Sequence, residues 1–115
     1  MVSHVVLFRL RPDLTHTDRQ GLARAFERAL GEIPLIRSFR IGRRVAIGAR
    51  DEQGAPDLHL AIIIDFDDVA GLRTYLDHPA HEDLGTRFNA SVEQALVYNY
   101  ELMGPEEARR VFGEI

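Results

Sequence analysis

The groups in this chain best suited to moving a proton near neutral pH are five histidines and three tyrosines. No cysteine is present, and all 14 basic residues are arginine. Thiol nucleophiles, thiolate metal sites, Schiff-base chemistry and lysine-held phosphate loops are therefore excluded. The serines are Ser3, Ser38 and Ser91, and none lies in a Gly-x-Ser-x-Gly turn. Histidine, tyrosine and the carboxylates remain. Tyr75 and the segment His78-Pro79-Ala80-His81 bring three of these groups within seven residues. An imidazole can pass a proton either way, and a phenol hydroxyl can orient or polarise a carbonyl. A metal site fits less well, because His78 and His81 are three apart across a proline where a two-histidine helical pair is usually four apart. No metal is expected. His16 reads as a surface residue.

These groups need a scaffold. Residues 2–11 alternate as a strand, with Val2, His4, Val6, Phe8 and Leu10 on one face and Ser3, Val5, Leu7 and Arg9 on the other. Both faces are apolar through Leu7, so both need cover. Pro12 stops the strand, and Thr15 or Thr17 can cap a helix carrying Leu22, Ala25, Phe26, Ala29, Leu30 and Ile33. Residues 36–48 read as a second strand with a bulge or bend at Gly42. After a loop rich in turn formers, Leu58 to Phe66 read as a doubly covered central strand. A helix capped by Asp67 or Asp68 pauses at His78-Pro79 and then runs on through Leu84, Phe88, Val92 and Leu96. A fourth strand covers about Leu96 to Leu102, and Pro105 to Gly113 read as a short helix.

This order predicts an α+β, ferredoxin-like βαββαβ protomer: a four-stranded antiparallel sheet with helices on one face. The domain spans residues 1–102, and residues 103–115 form a helical tail. The second sheet face would expose a large apolar patch in a monomer. A second copy packing sheet against sheet is the simplest cover, giving a homodimer and a dimeric α+β barrel. Val111, Phe112 and Ile115 of the tail are placed to touch that copy or to cover a barrel end.

With 115 residues the chain fits one domain, and its net charge of −4 argues against nucleic-acid binding. Arg37, Arg40, Arg43, Arg44 and Arg50 are a local exception, read as a charged strand edge in preference to an anion site. No signal peptide is apparent, and the apolar run Leu60 to Ile64 is too short to span a bilayer. No membrane contact and a cytoplasmic location are expected.

The segments His4-Val-Val-Leu-Phe-Arg-Leu, Ile33-Pro-Leu-Ile, Phe39-Arg-Ile-Gly and Tyr75-Leu-Asp-His-Pro-Ala-His81 resemble the stress-responsive dimeric α/β-barrel (Dabb) family over roughly residues 1–102. The resemblance implies a ferredoxin-like protomer in a dimeric barrel. The family's best-defined activity belongs to a plant polyketide cyclase, an aldol condensation without cofactor or metal. By that resemblance Tyr75 and His81 are the catalytic acid–base pair, and His4 and His59 are further pocket, substrate-binding histidines. The departures are Arg43 and Arg44, where many members carry an asparagine after the glycine, and the tail beyond Leu102.

Two functions follow as expectations. The first is binding of a small carbonyl-containing molecule, with cofactor-free acid–base chemistry of a cyclase or lyase kind. The alternative is a non-catalytic, stress-linked structural or binding homodimer. For the site, His4 near the start of the first strand and His59 near the start of the third are expected on neighbouring, parallel strands about 5 Å apart. Tyr75 and His81 would close over them from the helical layer.

Overall fold

A computed structural model of the protein describes residues 1–114, apart from the side chain of Asp51. Four strands, β1 (Val2–Leu10), β2 (Ser38–Arg43), β3 (Leu60–Phe66) and β4 (Val92–Glu101), form one sheet in the order β2-β3-β1-β4. Helices α1 (His16–Glu32), α2 (Val69–Asp77) and α3 (Pro79–Ser91) lie on one face. A short turn (Pro105–Glu107) and helix α4 (Ala108–Glu114) follow β4. The expected ferredoxin-like protomer is present, with its second helix divided at His78.

Every strand pair is antiparallel. This corrects the expectation that β1 and β3 run parallel. In this topology β1 and β2 share a direction through the α1 crossover, and β3 fits between them as the return strand. Three further details differ. β2 ends at Arg43 and stays in regular register with β3 through Gly42, so the bulge expected there is absent. The one register shift lies between Arg9 and Leu10 in β1. The third helix stops at Ser91 rather than continuing through Leu96, because Val92 onward pairs with β1. Strand pairing here overrides the helical spacing of Val92 and Leu96.

Local chemistry accounts for the remaining breaks. Thr15 and Asp18 form a reciprocal capping box at the start of α1. Asp68 accepts from the Gly71 amide at 2.8 Å and starts α2. In the β2–β3 connection Gly48 and Gly54 adopt φ of 76° and 78°, a region that favours glycine. Glu52 accepts from the amides of Ile47 and Gly48, which holds its pKa below the usual carboxylate value.

Phe8, Ile62, Ile64 and Phe66 of the sheet meet Ala25, Ala29 and Ile33 of the first helical segment and Leu72 and Leu84 beyond it. α1 packs most closely against α3. Phe8 and Phe88 pack edge to face at 5.0 Å. β2 is an edge strand, and three of the five arginines of this stretch are paired: Arg37 with Asp67, Arg40 with Asp65 and Arg44 with Asp57. The charged-edge reading of the arginine stretch fits this better than an anion site.

The protomer is a slab of 48 × 38 × 18 Å with a radius of gyration of 16.0 Å. A compact chain of this length would give about 13 Å. The excess goes with segments that stand off the body, where Val45, Ile47 and Phe112 are each more than 70% exposed. Ile115 lies outside the described residues. Among those described, no helix is long and apolar enough to cross a membrane.

Candidate active site

His4 points from β1 into the helical layer, on the same face as Val6 and Phe8. Its register partner on β4 is Asn99. His4 Nδ1 lies 2.6 Å from Asn99 Oδ1. An amide oxygen can only accept, so Nδ1 donates its proton to Asn99. His4 is 6% exposed.

Tyr75 occupies the last turn of α2, where the helical spacing of Leu72, Tyr75 and Leu76 points it inward. The chain then breaks at His78. The His78 side chain accepts from the Ala80 amide at 3.0 Å and caps α3, with Pro79 in the first helical position. This break turns the first turn of α3 back toward the sheet and brings His81 against Tyr75. Their rings lie 4.6 Å apart at 60°, and the His4 ring is 5.9 Å from Tyr75 on its other side. Phe66 backs the tyrosine at 5.2 Å. His81 Nδ1 donates to the Leu76 carbonyl at 3.1 Å, which leaves Nε2 as its basic nitrogen.

The three side chains form the polar end of a cavity of about 250 Å³. The rest is mainly apolar, lined by Val6, Phe26, Ile62, Ile64, Leu84, Phe88 and Val97. Gly85 and Asn89 complete the wall, and no arginine reaches it. Burial pushes the Tyr75 pKa up to about 12, so the phenol stays protonated at any physiological pH. Burial also lowers the His81 pKa from the usual 6.5, against the Leu76 hydrogen bond and with a smaller push from His4. His81 is therefore a neutral base at pH 7. The Tyr75 hydroxyl makes no hydrogen bond to another described residue, and the tyrosine lines a cavity that stays open on the side of Val97, which is half exposed.

His59 does not join this cluster. It lies just before β3, and because β1 and β3 are antiparallel it falls at the end of the sheet away from His4, whose partner is Ile64. Its Nε2 is 3.5 Å from the Leu10 amide. The parallel pairing assumed from sequence put the two histidines side by side; the antiparallel one separates them by most of a strand. His78 serves the helix cap. Among the described residues no group of three or more His, Asp and Glu side chains is arranged to hold a metal ion. Asn99 was missed in the sequence, although strand alternation in Val97-Tyr-Asn-Tyr-Glu101 carries a signal for it. The alternation places Asn99 on the same face as Val97, as an uncharged polar residue beside the pocket.

Comparison with known proteins was made on this basis. The model of the family described as stress responsive A/B barrel domain (Dabb) matches residues 2–102. Olivetolic acid cyclase from Cannabis sativa is 20% identical over 99 residues, covering 86% of this chain and 94% of the cyclase. Among solved structures, a hydroxynitrile lyase from Passiflora edulis superposes with a TM-score of 0.73 at 20% identity, covering 90% of this chain and 96% of the lyase. A dimeric protein of unknown function and ferredoxin-like fold from Bacteroides fragilis gives a TM-score of 0.61 at 25% identity, covering 88% of this chain and 95% of that protein.

Proposed function

This chain belongs to the stress responsive A/B barrel domain family, and from that premise we propose that it is a homodimer, paired through its open sheet faces, that binds a small carbonyl compound and moves a proton on it without a cofactor. The observation that supports the chemistry is the Tyr75–His81 ring pair at 4.6 Å, closing an apolar cavity with a lowered histidine pKa and a raised tyrosine pKa. Two titratable groups pushed apart in this way make a base and an acid. His81 Nε2 takes a proton from the carbon beside the carbonyl. The Tyr75 hydroxyl donates a hydrogen bond to the oxygen on which negative charge develops. His4, its ring fixed by Asn99, presents Nε2 as a hydrogen-bond acceptor toward the polar end of the cavity. The enolate is then reprotonated or attacks a second carbonyl. A named cyclase and a named lyase among the similar proteins fit a scaffold suited to cofactor-free proton transfer.

Cavity size and lining narrow the ligand. At about 250 Å³ the space falls below the roughly 300–1,000 Å³ usual for drug-sized molecules. With no cation in the wall, an uncharged compound with one polar end fits best. His59 has no part in the reaction in this reading.

Hydrogen–deuterium exchange tests it. A small β-diketone such as 2,4-hexanedione is incubated with the protein in buffered D₂O, and loss of its α-protons is followed by NMR. We expect exchange above the buffer rate, reduced on the order of 10²-fold in His81→Ala, with fold and mass unchanged. Equal rates for the two proteins would remove His81 from the chemistry and favour the alternative of a non-catalytic binding dimer.

A further inference from the structure

The sheet face turned away from the helices is apolar along Val5, Leu7, Ile63 and Leu96, with Arg9, bonded to Glu93 and Gln94, at one end and a row of polar and charged residues at the other. Ser3, Asp65 and Ser38 are register partners across β1, β3 and β2. Ser3 donates to one carboxylate oxygen of Asp65. Ser38 donates to the other at 2.6 Å, and Arg40 reaches the same oxygen at 3.1 Å. Asp65 is 5% exposed and Ser3 2%, although they lie on the uncovered face of an isolated chain. The Arg40 side chain remains 63% exposed, with donors to spare.

Such a row is a poor way to stabilise a protomer. A buried carboxylate with its polar partners on an apolar surface is often matched or bettered by hydrophobic residues of similar size, and the best-attested use of such a group is to select a register. The apolar strip beside it carries little directional information. Val5 and Leu7 present similar aliphatic surface after a shift of two residues along the strand. A shifted partner would press its aliphatic side chains onto Arg40 and Asp65, stripping water from charges without replacing its hydrogen bonds.

We propose that the Ser3–Asp65–Ser38–Arg40 row is the registering element of the sheet-to-sheet homodimer. It admits one arrangement of the two copies and rejects those shifted along the strands. The inference rests on the reading that two copies pair through this face. The occupant is a second copy because the face is apolar at its centre and similar folds assemble as dimers. The row sits at the end of the sheet where β1 begins, so the permitted arrangement keeps both rows at the rim of the interface and the aliphatic strips on each other.

The absence of cysteine makes the test clean. Exposed Gln20 on α1 is replaced, Gln20→Cys, and spin-labelled, and the distance between the two labels in the dimer is measured by double electron–electron resonance. The otherwise unaltered protein should give one narrow distance. The apolar row Ser3→Ala, Ser38→Ala, Arg40→Met, Asp65→Val should stay dimeric by native mass spectrometry but show a broad distribution or a second maximum. Asp65→Asn, nearly isosteric, repeats the test without changing side-chain volume and should add a second maximum. A single unchanged distance in both variants would overturn the proposal, as would dissociation of the apolar-row dimer, which would make the row a source of affinity. A monomeric parent protein would instead overturn the sheet-pairing reading itself.

Discussion

At the scale of single residues, protonation is set by what each ring touches. His81 is partly buried and holds Nδ1 on the Leu76 carbonyl. Its titration, followed by NMR, is expected at a midpoint below the usual 6.5 because desolvation outweighs that hydrogen bond. The unfolded chain takes up this proton more readily than the folded one. The stability linked to His81 is thus fully present above pH 6.5 and is lost as pH falls through the lowered folded value. A midpoint at or above 6.5 would contradict the burial argument. Tyr75→Phe keeps the ring against Phe66 and His81 but removes the only hydroxyl at the polar end of the cavity. It should slow α-proton exchange by about 10²-fold or more with little change in melting temperature. A large loss of stability with unchanged exchange would make Tyr75 a packing residue. Tyr75 and His81 could be picked out from sequence because they sit in a compact motif. Alternation gave Asn99 its face but not its role, which depends on lying beside His4 across 95 residues of chain.

At the scale of elements, the break between α2 and α3 does most to place the site. His78 ends one helix and begins the next, and that cap orients the turn bearing His81. His78→Ala should cost about 1 kcal/mol of stability, read from chemical denaturation. It should also move the His81 titration toward that of an exposed histidine. An unchanged His81 midpoint would mean that Pro79 and the packing of Ala80 and Leu84 hold the turn without the cap. The pause at His78-Pro79 was legible because proline restricts both itself and its neighbour. Strand direction was not. Alternation places side chains on faces but is blind to the sense of a strand, so His59 was assigned to the wrong end of the sheet. The end of α3 was obscured for a related reason: Val92 and Leu96 satisfy helical spacing and strand alternation alike, and only pairing with β1 decides between them.

At the scale of the whole molecule, a layer 18 Å thick cannot cover both sides of its own sheet. Leu7 lies on the uncovered side, and Leu7→Asp should yield a monomer or an insoluble chain by light scattering, because an unpaired charge would be buried between copies. A soluble dimer of ordinary mass would refute pairing through that face. Acid should act there too. Hydrogen bonds from Ser3 and Ser38, with Arg40 nearby, hold the Asp65 pKa below its ordinary 3.8. The stability this supplies is present above that ordinary value and is lost as pH falls through the lowered one. The need for a covering partner was legible in the doubly apolar pattern of β1, whereas the Asp65 row appears only once three strands are aligned. The strand order has a last consequence, for biosynthesis. β1 is made before the other three strands and occupies the interior of the sheet, yet β4, one of its two neighbours, is the last of the four to be made. Until then β1 presents an unpaired edge, and His4 has no Asn99 to fix its ring. The nascent chain must carry an open, sticky strand until β4 is made, and the cluster of His4, Tyr75 and His81 is complete only at the moment that edge is closed.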